Sequence, residues 1–271
     1  MRRGIILFIL CTASGFTQPN LGLPLVGLAR DPHHRLRLVY GVAGNFVSRD
    51  VAAGNVTTWS FAGNGGLVKT RGELLQLDRN GRTLRRTSAP GENTVLDAGN
   101  PQAPALSFFP STGELWKVLP QGNRRVPLDS DVLGGTVIAL GASSFHKTEV
   151  ALCRTNDLWL LTVDLDSGRV AHETLVSGAI GESACRSAQP DSLLLVRTSL
   201  VLATPSELIV QTTAGGEHRV PLGAARKSPP ALHRSGDDWV QVDSADQPPL
   251  LAHITPGGLK LYQLPLAEVS Q

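Results

Sequence analysis

The sequence predicts an all-β fold, namely a β-propeller of about five to six four-stranded blades, either incomplete or closed by its N-terminal hairpin. Three observations lead to this prediction. Short apolar runs flank glycine-containing turns, these turns recur at nearly even spacing, and no amphipathic helical stretch of useful length follows the N-terminal segment. Four short antiparallel strands in about 40 to 50 residues are typical of one propeller blade.

The hairpins carry the repeat. In the clearest one, Leu74–Leu77 and Arg82–Leu84 flank Asn80-Gly81, a pair that suits a type I′ turn because it tolerates positive φ at both positions. Successive turns lie 41 to 48 residues apart. They are centred on His33, Gly81, Gly122, Gly168, Gly216 and Gly258.

A single propeller domain is therefore expected over residues 18–271, since all-β domains reach this length as one unit. The alternative is a pair of β-sandwich domains. A sandwich pair does not predict such even turn spacing over six hairpins.

The N-terminus has the layout of a secretory signal peptide, which we expect to span residues 1–17. Arg2 and Arg3 precede the apolar run Gly4–Thr12, and the small residues Ala13–Gly15 follow it. A buried N-terminal helix or strand is the alternative. No later stretch reaches 18 apolar residues, so the mature chain is expected to be secreted or periplasmic and not an integral membrane protein.

Cysteine content agrees with that compartment. Removal of the signal peptide would take away Cys11 and leave Cys153 and Cys185, an even number in an oxidising environment. We predict that these two form a disulfide. The alternative is two buried thiols that behave as small hydrophobic residues.

Charge excludes one class of partner. The formal net charge is only +2, and the arginines form pairs rather than a basic stripe, so no nucleic-acid binding is expected. We expect a monomer whose partner is an unknown protein or carbohydrate ligand.

Two segments resemble known propellers. Leu158–Val170 resembles the outer hairpin of YVTN-type and quinoprotein-like propellers, and Leu36–Phe46 resembles a segment of uncharacterised secreted propeller-like proteins of acidobacteria. The resemblance implies a secreted bacterial propeller without an assigned activity. Quinone-cofactor propellers carry a TG-x-x-x-W pattern in most blades, whereas here only Thr112–Trp116 approaches it, with one residue too few. No cofactor is therefore expected.

Candidate metal and phosphate motifs are weak. His33-His34 beside Asp31 could bind a metal ion, but a solvated turn is favoured. Asp164–Gly168 resembles the front of a calcium loop and lacks its downstream glutamate, so a hairpin turn with aspartate bound to backbone is favoured. Gly178–Gly181 precedes no helix pattern, which argues against a phosphate loop.

Other polar and aromatic residues have structural interpretations. Asp237-Asp238 is expected to cap a loop. One tryptophan falls in each of four repeats, at Trp59, Trp116, Trp159 and Trp239. Packing between blades is the favoured role for them, and a stacking platform for a sugar or an aromatic ligand is the alternative.

The sequence therefore favours a non-enzymatic binding or scaffold module, with no catalytic, cofactor-binding or metal-binding residue assigned. Loops at propeller faces commonly carry recognition. The alternative is a metal-dependent, lactonase-like hydrolase or lyase with a site in the central channel, for which His146, Asn156 and Asp157 are the candidates.

Overall fold

The computed structural model describes residues 23–264, except 32, 92, 129–132, 187–189, 213–215, 224 and 256–257. The predicted signal peptide and Cys11 lie outside the described residues.

An antiparallel three-stranded sheet comes first. Its strands are β1 (Leu25–Arg30), β2 (Leu36–Val42) and β3 (Asn45–Ala53). Five four-stranded antiparallel meanders follow in chain order. The first meander comprises β4 (Val56–Ala62), β5 (Gly65–Thr70), β6 (Glu73–Asp78) and β7 (Thr83–Ser88). The second comprises β8 (Val95–Asp97), β9 (Ala105–Phe109), β10 (Glu114–Leu119) and β11 (Gly122–Val126).

The remaining meanders repeat this order. The third comprises β12 (Thr136–Ala142), β13 (Lys147–Arg154), β14 (Asp157–Asp164) and β15 (Val170–Leu175). The fourth comprises β16 (Leu193–Val196), β17 (Ser199–Ala203), β18 (Glu207–Thr212) and β19 (Glu217–Pro221). The fifth comprises β20 (Ala231–Arg234), β21 (Trp239–Asp243), β22 (Leu250–Thr255) and β23 (Gly258–Gln263).

Burial falls from the first strand of a meander to the last. Every residue of β8 is buried, whereas β15 exposes five of its six residues. First strands also neighbour one another in a closed circle, in the order β4, β8, β12, β16, β20 and back to β4. Sheets that radiate from such a circle form a propeller, in which the inner strands are covered on both faces.

Apolar clusters join each sheet to the next. One contains Leu28 and Leu38 of the N-terminal sheet with Trp59 and Val68 of the first meander. Others lie between successive meanders, and a last one joins Phe46 to residues of the fifth meander. This arrangement is a ring of packed sheets and not two flat sheets face to face, so the sandwich alternative is wrong.

The predicted number of about five to six four-stranded blades is wrong. Over the described ranges there are four sheets of four or more strands, together with the three-stranded one. The reason is a parallel bridge between Ser60 and Arg234, which joins the first and fifth meanders into one eight-stranded sheet. This bridge closes the circle, so the N-terminal hairpin packs beside β4 and β21 instead of completing a meander.

Each predicted hairpin turn joins two antiparallel strands, at β1–β2, β6–β7, β10–β11, β14–β15, β18–β19 and β22–β23. The predicted type I′ turn is wrong. Of Asn80 and Gly81, only Gly81 has positive φ (75°). The register also shifts between Gln76 and Leu77, because a bulge absorbs the extra residue.

A short helix, α1 (Gly178–Ala184), was not expected from the sequence. Its seven residues include the buried Ile180 and Ala184, which pack in the cluster between the third and fourth meanders. The predicted disulfide is confirmed, since Cys153 in β13 is bonded to Cys185, the residue that ends α1. In the described part of the chain, no helix has the length and apolar character needed to cross a membrane.

Candidate functional site: a cavity at one mouth of the propeller

A cavity of about 410 Å³ lies where the first strands end. Asp97 is the last residue of β8, Ala142 the last of β12 and Arg234 the last of β20, while Leu195 is the last but one of β16. The cavity is lined by Asp97, Asn100, Pro101, Gln102, Gly141, Ala142, Leu195, Arg197, Arg234 and Asp237. Four meanders thus contribute to one site, at the mouth where ligands of closed β folds commonly bind.

A buried ion pair forms the floor of this site. Asp97 and Arg234 have side chains that are 3% and 8% exposed, and Oδ1 of the aspartate lies 2.9 Å from Nη1 of the arginine. Oδ2 of Asp97 accepts the backbone N–H of Ala142 at 2.8 Å. One carboxylate therefore connects β8, β12 and β20. Burial keeps the two side chains paired, because a single unpaired charge would be costly at this position.

Arg234 has one donor group left over. Its Nη1 also donates to the carbonyl oxygen of Gly99 at 3.2 Å, and its Nε donates to the carbonyl oxygen of Gly236 at 3.3 Å. Among the described residues, Nη2 has no hydrogen-bond partner. It is also not fully enclosed by protein atoms. Since Arg234 lines the cavity, Nη2 is the donor that a ligand there can reach.

The rim of the cavity carries a second ion pair and, next to it, a carboxylate that forms no ion pair within the described residues. Arg197, 62% exposed, binds both carboxylate oxygens of Asp238 at 2.9 and 3.0 Å. The neighbouring Asp237 is exposed, and its Oδ1 accepts the backbone N–H of Gly63 at 2.9 Å. Within the described ranges, Asp237 forms no ion pair. Asp237 thus binds the distant turn between β4 and β5 and does not cap its own loop, contrary to the prediction for Asp237-Asp238, and it also lines the cavity.

Asn100 fixes the wall between these groups. Its Nδ2 donates to the carbonyl oxygen of Ala142 at 3.3 Å, and its Oδ1 accepts the backbone N–H of Gln102 at 2.8 Å. Gly141, Ala142 and Leu195 supply the apolar part of the lining. The lining therefore combines hydrogen-bonded polar groups with apolar residues.

Next to Arg234, a histidine is enclosed on the other face of β20. His233 stacks on Trp59 with ring centroids 3.8 Å apart, and its Nδ1 lies 3.4 Å from the hydroxyl of Thr58. Burial lowers the pKa of His233 well below its usual value, and the charge of Arg30 lowers it further. Within the described part of the chain, Nε2 of this ring has no hydrogen-bond partner. The imidazole is therefore neutral at ordinary pH.

The histidine pair proposed as an adventitious metal site lies in a structural turn. Asp31 is bound by the side chains of Arg35 and Arg37 at 2.9 and 2.7 Å and accepts the backbone N–H of His33. Burial raises the pKa of Asp31, but these hydrogen bonds outweigh burial and bring it down to about 2. The carboxylate holds the β1–β2 turn together.

The candidate calcium loop is also a turn. Asp164 Oδ1 accepts the backbone N–H groups of Asp166 and Ser167 at 3.1 and 2.7 Å, and the bonds from Ser167 lower the pKa of Asp164. Asp166 pairs instead with His146 and Lys117. These contacts are those of an aspartate-stabilised hairpin turn.

The residues named for a channel metal do not converge. His146 precedes β13, whereas Asn156 and Asp157 follow it, so they lie at opposite ends of an eight-residue strand. None of the three lines the mouth cavity. In the residues that the structure describes, no group of three or more His, Cys, Asp or Glu side chains could hold a metal ion.

The tryptophans serve packing. Trp59 is 2% exposed, Trp116 contacts Phe109 edge-on, and Trp239 stacks on His253 with centroids 4.0 Å apart. None of these three lines the cavity, so they provide no stacking surface there. This agrees with the packing role that the sequence favours.

The sequence did not single out Asp97, Asn100, Arg197 or Arg234. The sequence does contain a signal for the charged residues among them. Each stands at or just beyond the end of a short apolar run, where a first strand reaches the propeller mouth: Asp97, Arg197 and Arg234. Reading it requires knowing which strand of each meander is innermost.

Comparisons with known proteins add little beyond the fold. No family model and no curated protein matches the chain. Among solved structures, a catalytically inactive virginiamycin B lyase from Staphylococcus aureus is similar over 93% of this chain and 87% of its own, with 10% identity and a TM-score of 0.46. The Cps50 (Swd1) β-propeller domain of Myceliophteria thermophila is similar over 90% and 88%, with 13% identity and a TM-score of 0.45.

A third similar structure is PorZ of Porphyromonas gingivalis, described as a surface component of the type-IX secretion system. The match has 12% identity and a TM-score of 0.40 and covers 76% of this chain, which spans only 28% of PorZ. No match links the chain to acidobacterial proteins, so that resemblance stays a prediction.

Proposed function

We propose that this protein is a non-enzymatic binding module outside the cytoplasm, which takes a polar ligand into the mouth cavity. The supporting observation is the way in which the polar groups of the cavity are held. The floor carboxylate bonds to both Arg234 and the Ala142 backbone, and Arg197 is bound by Asp238 through both oxygens. Such groups are positioned to recognise a ligand and are not arranged as a nucleophile with a neighbouring base.

The proposed compartment rests on two features. The disulfide between Cys153 and Cys185 is typical of proteins that mature in an oxidising environment. The predicted signal peptide at residues 1–17 would deliver the chain there. Detection of the processed chain in culture medium or periplasmic extract, after expression with its own N-terminus, tests this part of the proposal.

A matched pair of variants tests the binding site. Ala142→Trp places a large ring in the half-buried wall of the cavity, whereas Ala171→Trp makes the same change on the exposed strand β15, away from it. Wild type and both variants are screened against a peptide library and a glycan array. We expect binding by wild type and Ala171→Trp and its loss in Ala142→Trp.

Equal binding by all three proteins, or no binding by any, would contradict the proposal. A control for the enzymatic alternative is elemental analysis of the purified protein combined with lactone and ester turnover assays. Stoichiometric metal together with turnover that Ala142→Trp abolishes would replace the binding module with an enzyme.

A further inference from the structure

The charges around the mouth cavity do not balance. Asp97, Asp237, Arg197 and Arg234 line the cavity, and a third carboxylate, that of Asp238, lies outside the lining and pairs with Arg197. Each guanidinium is already paired with its own carboxylate, which leaves Asp237 as the residual charge. An anionic ligand would therefore meet a negative carboxylate at the rim and arginines that are already neutralised.

Within the described residues, the cavity lining includes a hydrogen-bond acceptor and a donor that a ligand can use. Asp237 uses Oδ1 for the Gly63 backbone N–H and forms no other hydrogen bond within the described residues, so its second oxygen can accept from a ligand. Arg234 presents Nη2, a donor on a side chain that is 8% exposed. Arg234 ends β20 and Asp237 follows three residues later, and the carbonyl oxygen of Gly236 between them accepts from Arg234 Nε. The cavity therefore offers an anionic acceptor and a charge-paired donor from one short stretch of chain.

We propose that the cavity binds ligands in which a primary ammonium group stands next to a carbonyl or carboxylate oxygen, as in free amino acids and peptide N-termini. The ammonium group binds Asp237, and the oxygen accepts from Arg234 Nη2. The small apolar wall formed by Gly141, Ala142 and Leu195 receives the side chain of the ligand. This inference rests on the proposed binding function and names its ligand chemistry. A volume of about 410 Å³ suits a ligand of one or two residues.

The test uses isothermal titration of the full mature chain with four probes: alanine, dialanine, N-acetyl-dialanine and propionate. Dialanine and alanine distinguish a peptide N-terminus from a free amino acid, and the other two probes lack the ammonium group. We expect binding of dialanine, alanine or both, and no binding of the two probes without an ammonium group, since charge-assisted contacts dominate such small ligands.

Asp237→Asn is the decisive variant. The amide keeps an oxygen for the Gly63 N–H and removes the charge, so the fold is retained while binding should weaken by at least about tenfold. Asp246→Asn is the matched control, because Asp246 is also exposed, accepts a backbone N–H from Lys227, and does not line the cavity. It should leave binding within about twofold, and thermal unfolding of each variant checks the fold.

Three results would overturn the inference: equal binding of the N-acetylated probe, no effect of Asp237→Asn, or no binding of alanine and dialanine at millimolar concentration. The two proposals remain distinguishable. A library ligand without an ammonium group that binds wild type but not Ala142→Trp would leave the binding module standing and remove this ligand class.

Discussion

The strongest stability prediction concerns Asp97→Asn at the cavity floor. The carboxylate accepts from two donors, Arg234 Nη1 at 2.9 Å and the Ala142 N–H at 2.8 Å. An asparagine has one acceptor oxygen and one donor nitrogen in the same shape, so it can satisfy only one of them and turns a donor toward the other. The substitution also leaves the buried guanidinium without its counter-charge.

The expected size follows from this geometry. Removal of one partner of a buried ion pair costs about 3–5 kcal/mol. Arg234 keeps its bonds to the carbonyl oxygens of Gly99 and Gly236, which places the loss at the lower end, about 3 kcal/mol. For a domain of this size, such a loss lowers Tm by roughly 6–12 °C.

Urea unfolding at neutral pH, followed by tryptophan fluorescence, measures the free energy of unfolding. Two further variants complete a double-mutant cycle. Arg234→Met alone should also destabilise, and Asp97→Asn combined with Arg234→Met should lose at least about 1 kcal/mol less than the sum of the single changes. Asp157→Asn, at an exposed position with no side-chain hydrogen bond or ion pair among the described residues, should stay within about 0.5 kcal/mol of wild type. A change below about 0.5 kcal/mol for Asp97→Asn, or strict additivity in the cycle, would refute the reasoning.

Three other predictions concern the rest of the fold. The pKa of His233 is lowered in the folded state, so only the unfolded chain binds a proton there, and the free energy of unfolding should fall as the pH drops below about 6.5. His233→Phe should reduce the fall in urea midpoint over this pH range. The same pH profile in wild type and His233→Phe would count against this account. Replacement of Cys153 and Cys185 by serine should cost roughly 3–4 kcal/mol, from a separation of 32 residues; an unchanged urea midpoint would contradict this. Gly27→Ala should displace the N-terminal sheet, because the new Cβ would lie 1.4 Å from the Ser235 carbonyl oxygen. Gly54→Ala meets no atom within 4 Å, and equal proteolysis of the two alanine variants would disprove this account.

The repeat of hairpins was readable from the sequence because each turn needs local chemistry. The turn at Gly168 shows why. Gly168 has a φ of 72°, a left-handed conformation that glycine adopts without steric cost, so the turn itself favours glycine. Local signals of this kind reveal where strands reverse, and cysteine number was enough to predict the disulfide.

The number of sheets could not be read in the same way. The bridge between Ser60 and Arg234 joins residues that lie far apart in the chain, and neither residue carries a local signal for it. Helix α1 was missed for a related reason. Its seven residues gain their helical structure from the burial of Ile180 and Ala184 between two meanders and not from a periodic pattern of their own.

The sequence by itself therefore determined that the chain forms β-hairpins at a nearly even period, with Cys153 and Cys185 available as a disulfide pair, because turns and composition are local properties. The tertiary structure alone decided which strand ends meet. Asp97, Arg234 and Asp237 line one cavity only because the first strands converge on a common axis, and the same placement leaves Asp237 without an ion-pair partner among the described residues.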